Sequence, residues 1–206
     1  MKQNISMQQR EFEAIVIGAS AGGLNAFFNL FEHLPSNFPI PIIVVQHLHP
    51  QEDSVLPDLI NSKTKLNVKE VVDKEEIHRG FIYFAPPNYH LLIEDKYSFS
   101  LTYDEKVNYS RPSIDVLFES ASHVWAQNLI GIILTGANGD GAEGIKLVAK
   151  AGGTTIAQSP DSSEFPVMPQ AAINTGFVQH ILTIEQMVDF LINLSSMHQT
   201  DNVLGK

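Results

Sequence analysis

Phe12-Glu13-Ala14-Ile15-Val16-Ile17-Gly18-Ala19-Ser20-Ala21-Gly22-Gly23 is the stretch that decides how this chain folds. The apolar run from Phe12 to Ile17 has the continuous character of a strand buried on both faces. It breaks at once into a glycine-rich turn. Leu24, Phe27, Phe28 and Phe31 then recur at the spacing of one helical face, and Pro35 closes the helix. A second buried-strand run, Ile40 to Val45, ends at Gln46-His47. Strand, turn, helix and strand in that order open an α/β domain with a parallel sheet.

The same alternation continues outward. The pattern predicts a short helix over Val55 to Ile60 and a third strand over Asn67 to Val72. Phe81 to Ala85 and His90 to Glu94 flank the turn Pro86-Pro87-Asn88, and Tyr97 to Tyr103 follows. These three runs read as an antiparallel hairpin or meander inserted into the α/β unit. Arg111-Pro112-Ser113 opens a helix, with proline suited to its first position. Ile114, Leu117, Phe118, Ala121, Val124 and Trp125 form its apolar face. Leu129 to Leu134 is the strongest strand signal, and it ends at Thr135-Gly136-Ala137-Asn138-Gly139-Asp140-Gly141. A helix follows to Lys150, stopped by Gly152-Gly153. Thr154 to Ala157 is another strand, and Ser159 to Pro169 a polar loop. Thr183 and Gln186 form a capping box before a last helix, Met187 to Leu194. The fold class is therefore α/β: a doubly wound, mostly parallel sheet flanked by helices, with the antiparallel insertion. Residues 1–11 read as a flexible leader, 12–195 as one domain and 196–206 as a frayed tail.

Composition narrows the chemistry. A chain of 206 residues without cysteine has no disulfide, thiolate metal site or cysteine nucleophile. The net charge is −10, and no lysine or arginine cluster offers the basic face that nucleic acid requires. No run approaches the roughly 18 apolar residues of a membrane span, and no signal peptide is visible. A soluble, cytoplasmic protein without direct membrane insertion is expected.

In open parallel sheets, ligands bind beyond the carboxyl ends of the strands. Three predicted strand ends carry reactive side chains there: Ser20, His47 and Asp140. Such a set can make a nucleophilic triad. Ser20 lies in Gly18-Ala19-Ser20-Ala21-Gly22, a G-x-S-x-G turn that projects a hydroxyl at a helix start. The backbone N–H groups of Ala21 and Gly22 are candidate oxyanion donors. Each residue also has a plainer reading. Ser20 suits a helix cap or a phosphate-cradling loop, His47 is one of eight histidines, and Asp140 fits a turn beside glycine. A cation at Asp140 would find only Asn138 nearby. The dinucleotide pattern G-x-G-x-x-G is absent. The order serine, histidine, aspartate also differs from α/β-hydrolases, where the acid precedes the histidine.

Taken together, the segments Ile17 to Gly23, Gln46-His47-Leu48-His49-Pro50 and Leu134 to Gly144 resemble the catalytic domain of the CheB family of chemotaxis protein-glutamate methylesterases. Tyr83-Phe84-Ala85-Pro86-Pro87-Asn88-Tyr89-His90, Arg111 to Phe118 and Met168-Pro169-Gln170-Ala171-Ala172 are similar to its other signature segments. The resemblance spans about Phe12 to Leu194. It implies Ser20 as nucleophile, His47 as general base and Asp140 as orienting acid. It implies release of methanol from γ-glutamyl methyl esters on the cytoplasmic domain of methylated chemoreceptors, with glutamine deamidation in some members, and neither cofactor nor metal. Arg111, His90, Ala137 and Met168 are further candidates for the cleft.

Two departures stand out. The family often has threonine or serine after the nucleophile, where this chain has Ala21, and methionine at the position of Ala137. Family members typically carry a receiver domain ahead of this one. About eleven residues precede the first strand here, so control by its own phosphorylation is not expected: the two readings are constitutive action and regulation by a separate signalling partner. Two alternatives remain: a hydrolase of another carboxylic ester, and a receptor- or partner-binding paralogue with little turnover.

Overall fold

The computed structural model describes residues 11–47 and 55–204. Leu48, His49 and Pro50 of the second signature segment lie outside the described residues, as do residues 1–10 of the leader.

Seven parallel strands form the central sheet: β1 (Ala14–Ala19), β2 (Ile42–Gln46), β3 (Asn67–Glu70), β4 (Phe81–Phe84), β7 (Leu129–Ile133), β8 (Thr154–Gln158) and β9 (His180–Leu182). Their spatial order is β3-β4-β2-β1-β7-β8-β9. All six residues of β1 are buried, which accounts for its unbroken apolar run. Ile15 and Ile17 point into one core, Ala14 and Val16 into the other. The first core lies under α1 (Gly23–Phe31), α2 (Leu56–Asn61) and α6 (Ile184–Leu204). The second lies under α3 (Ile114–Trp125), α4 (Ala142–Lys150) and α5 (Val167–Asn174). The sheet is thus doubly wound. Each buried Ile or Leu side chain contributes roughly 1.5–3 kcal/mol relative to exposure.

The antiparallel insertion is smaller than the three-strand reading. It is a two-stranded hairpin of β5 (His90–Asp95) and β6 (Ser98–Thr102). Phe81–Phe84 belongs to the main sheet, pairing in parallel with β2 and β3. Its residues Ile82, Tyr83 and Phe84 are buried, and a central position satisfies the backbone on both sides. Leu91, Ile93 and Phe99 of the hairpin pack into the second core.

Three boundaries also differ. Helix α3 starts at Ile114 rather than at Pro112, because Ser113 is extended (φ −109, ψ 139) and serves as its N-cap. Helix α5 and strand β9 occupy part of what reads as loop and connector. Helix α6 runs to Leu204, beyond Leu194, since neither glycine nor proline interrupts that stretch. The capping box is present: Thr183 N–H donates to Gln186 Oε1 at 2.9 Å and Gln186 N–H to Thr183 Oγ1 at 3.4 Å. Among the described residues, no helix is long and apolar enough to cross a membrane.

Candidate active site

Strand β1 is flanked by β2 and β7, so the chain leaves it in opposite directions. The crevice beyond the carboxyl ends of these three strands is a topological switch point. Ser20 follows β1, His47 follows β2, and Asp140 lies in the turn after β7.

The nucleophile turn is held on both sides. Ser20 N–H donates to Thr135 O at 3.0 Å, and Ser20 O accepts the N–H of Gly23 at 3.0 Å. Gln46 Nε2 donates to Ser20 O at 2.8 Å and to His47 O at 2.9 Å, tying the two strand ends together. A Cβ at Gly23 would collide with Gln46 Oε1, so glycine there lets the amide reach the turn. Gly22 caps α1 at φ 78, a conformation that glycine adopts without steric cost. Among the described residues, the N–H groups of Ala21 and Gly22 have no acceptor. They remain available at the start of a nine-residue helix.

The imidazole of His47 is gripped at both nitrogens. Its Nε2 meets Asp140 Oδ2 at 2.9 Å, and Asn138 Nδ2 donates to Nδ1 at 3.2 Å. Asn138 Oδ1 accepts the N–H of Asp140 at 3.1 Å, which fixes which end of the amide faces the ring. Nδ1 is therefore an acceptor, and Nε2 carries the proton that Asp140 receives. This is the tautomer in which Nδ1 is the basic nitrogen. Among the described residues, the Ser20 hydroxyl makes no hydrogen bond.

Asp140 is fully buried at its side chain. Its carboxylate accepts from Asn108 Nδ2 (2.9 Å), Ser113 Oγ (2.9 Å), the N–H of Ile114 (2.7 Å) and, at 3.4 Å, the N–H of Asp115, besides His47. The last two N–H groups open α3, so a residue remote in sequence caps that helix and sits at its positive end. Burial alone would raise the pKa of Asp140. The hydrogen bonds from His47, Asn108 and Ile114 outweigh it and hold the pKa below 3.8, so the carboxylate is charged.

Asp115 is the contrasting neighbour. Burial first, and then the charge of Asp140, push it up to about 6, against the pull of the N–H groups of Gly144 and Gly141 and of Asn108. Asn108 Nδ2 bridges the two acids, at 2.7 Å from Asp115 Oδ2 and 2.9 Å from Asp140 Oδ1.

The other sequence candidates fall outside this cluster. His90 is buried: its Nε2 donates to Glu105 O at 3.0 Å and its Nδ1 accepts Ser113 N–H at 3.2 Å. It braces the residue that holds Asp140 rather than facing the cleft. Arg111 stacks on Tyr103 at 3.6 Å and donates to the carbonyls of Tyr103 and Asp104. Met168 is buried under the turn after β7, its N–H on Gly136 O at 2.9 Å. It packs beneath the site. Ala137 is exposed on the turn itself. Gln46, Asn108, Ser113 and Asp115 are site residues to which sequence reasoning gave no role, and Asn138 was weighed only as a neighbour for a cation at Asp140. Only the Asn138-Gly139-Asp140 spacing, an Asx-turn signature, offered a local hint. Among the described residues, no three His, Asp or Glu side chains are grouped to hold a metal ion.

Comparison with known proteins agrees with this architecture. Residues 15–191 match the CheB methylesterase family. A Leptospira interrogans protein, itself provisionally assigned as a protein-glutamate methylesterase/protein-glutamine glutaminase, is 47% identical over 183 residues, covering 89% of this chain and 95% of that one. The Thermotoga maritima protein-glutamate methylesterase/protein-glutamine glutaminase is 36% identical over 183 residues, covering 87% of this chain and 53% of its own length. The crystal structure of the Thermotoga maritima CheB methylesterase catalytic domain superposes with a TM-score of 0.85 at 34% identity, covering 89% of this chain and 99% of that domain. The chain belongs to the CheB methylesterase family.

Proposed function

We infer that this protein hydrolyses γ-methyl esters of glutamate side chains on the cytoplasmic domain of methylated chemoreceptors, with Ser20, His47 and Asp140 as its triad. The observation that carries the reading is the pair of contacts at the two ring nitrogens of His47, which assign its tautomer. A buried, charged Asp140 takes Nε2–H at 2.9 Å and leaves Nδ1 as a base on the strand edge that holds Ser20.

In the cycle, Ser20 Oγ attacks the ester carbonyl as its proton passes to His47 Nδ1. The imidazolium is stabilised by the Asp140 carboxylate. The N–H groups of Ala21 and Gly22 receive the oxyanion. Methanol leaves with the proton from Nδ1, and water hydrolyses the glutamyl-serine ester by the reverse sequence. A glutamine side chain would pass through the same tetrahedral state and release ammonia, the second activity in the relatives' names. A cytoplasmic location goes with this reading, since the methylated receptor domain it acts on is the cytoplasmic one.

The test is mass spectrometry of a methylated receptor signalling domain after incubation with the chain. Loss of methyl groups from glutamate, with or without conversion of glutamine to glutamate, supports the reading. An unchanged receptor with cleavage of small esters would assign another ester substrate. An unchanged receptor that binds without turnover would favour a binding paralogue.

A further inference from the structure

The contact between Asn138 and His47 raises a conflict that the triad alone does not resolve. With Nε2–H given to Asp140, the imidazole has one remaining in-plane lone pair, on Nδ1. Asn138 Nδ2–H occupies it at 3.2 Å. Ser20 needs that same lone pair to lose its proton, and one lone pair does not serve both. The amide cannot turn its oxygen to the ring in place, because Oδ1 is held by Asp140 N–H at 3.1 Å. Asn138 must therefore let go of Nδ1 before chemistry, and its half-buried NH2 is then available to another acceptor. The acceptor that arrives with the substrate is the ester carbonyl oxygen.

We propose that Asn138 is a catalytic residue: its Nδ2–H transfers from His47 Nδ1 to the carbonyl oxygen as substrate binds, freeing the base for Ser20 and supplying a side-chain donor to the oxyanion. The inference rests on the triad reading above. The exchange is timed by the proton. As Ser20 Oγ bonds to the carbonyl carbon, the π pair moves onto oxygen and the hydroxyl proton moves to Nδ1. Nδ1 is then a donor and no longer accepts from Asn138, while the new oxyanion accepts more strongly than the ester did. When methanol takes the proton from Nδ1, the carbonyl re-forms and Asn138 can return. In the resting protein the base is masked, so Ser20 is activated only by a ligand with a carbonyl to offer.

The test compares the native chain, Asn138→Ala, Asn138→Gly, Asn138→Asp and Ser20→Ala in methanol release from a methylated receptor signalling domain, alongside nitrogen-15 NMR of the His47 ring. Asn138→Ala is expected to lower kcat about 10²–10³-fold, the usual loss for one oxyanion donor, with KM little changed. It is also expected to move the Nδ1 resonance of the resting protein, since it removes the 3.2 Å contact, and the loss of kcat at unchanged KM is what a merely structural asparagine would not produce. Asn138→Asp keeps the side chain's shape and its acceptor for Asp140 N–H but sets a carboxylate against Nδ1, so its kcat falls because the base stays protonated; Asn138→Gly, which removes the donor without adding charge, decides the matter if the alanine variant does not fold. An unchanged kcat, a loss confined to KM, or an unmoved Nδ1 resonance overturns the proposal. Release by the native chain and none by Ser20→Ala upholds the triad whatever Asn138 does, whereas a silent native chain removes both.

Discussion

Replacing Asp140 by asparagine separates charge from shape at the centre of the site. The amide can present its oxygen on the side of Oδ2 or of Oδ1. With NH2 at Oδ2, two donors, Ile114 N–H and His47 Nε2–H, would face a third, and the backbone N–H of Ile114 cannot turn away. With NH2 at Oδ1, the Ser113 hydroxyl can rotate to accept, Asn108 still has Asp115 at 2.7 Å, and the backbone N–H of Asp115 gives up only a long 3.4 Å contact, against 2.7 Å for Ile114. The second orientation is therefore favoured. It preserves the tautomer of His47 but removes the negative charge opposite the imidazolium. Unit charges about 4 Å apart at an effective dielectric of about 20 interact by about 4 kcal/mol. The amide dipole retains a share of that. Asp140→Asn is thus expected to lower kcat by about 10²–10³, at roughly tenfold per 1.4 kcal/mol. The loss would approach about 10⁴ if the tautomer flipped as well. Stability falls by about 1–3 kcal/mol from the mismatched donors, which lowers Tm by roughly 2–12 °C. The folded pKa of Asp140 is depressed, so its stabilisation is present above pH 3.8 and lost as pH falls through the folded value. The stability gap between native and variant should therefore close on acidification. Steady-state methanol release measures the rate, and thermal unfolding against pH measures the gap. A kcat within about tenfold of native would refute the charge argument.

Two further predictions follow from the surrounding network. Asp115 has a folded pKa raised to about 6, so the stability it contributes is present below its ordinary value of 3.8 and is lost as pH rises through about 6. Asp115→Asn should flatten the native decline in stability between about pH 4 and 6, read by denaturant unfolding; a slope unchanged from native would contradict it. Gln46→Leu should cost about 1–3 kcal/mol by removing the donor to His47 O, while Ser20 O keeps the N–H of Gly23, and should lower kcat by misaligning nucleophile and base. Full activity in that variant would mean that the strand ends keep their spacing without the amide.

The parts legible in the sequence are those written locally. β1, β2 and β7 are short apolar runs stopped by polar or glycine-rich turns, and the residues just after them are Ser20, His47 and the turn to Asp140. Placing those three together needs only the rule about strand ends. The partners of Asp140 are another matter. Asn108, Ser113 and Ile114 lie 32, 27 and 26 residues from it, and only the packing of α3 against β1 and α4 brings them in. Gly18 shows that packing, since a Cβ there would collide with Ile114. Phe81–Phe84 was legible as a strand but not as to its sheet, because Pro86-Pro87-Asn88 looks like a hairpin turn while the strand pairs with distant β2 and β3. Helix α5 hides behind Pro169 near its start, and β9 is three residues long on a sheet edge. Neither leaves a periodic pattern to read.

The central claim is that Ser20 is the nucleophile of a glutamyl methylesterase. The most direct measurement is methanol released from a methylated chemoreceptor signalling domain by the native chain and by Ser20→Ala. The account predicts release by the native chain and loss of about 10⁶ in turnover in the variant. Comparable release by both would contradict it.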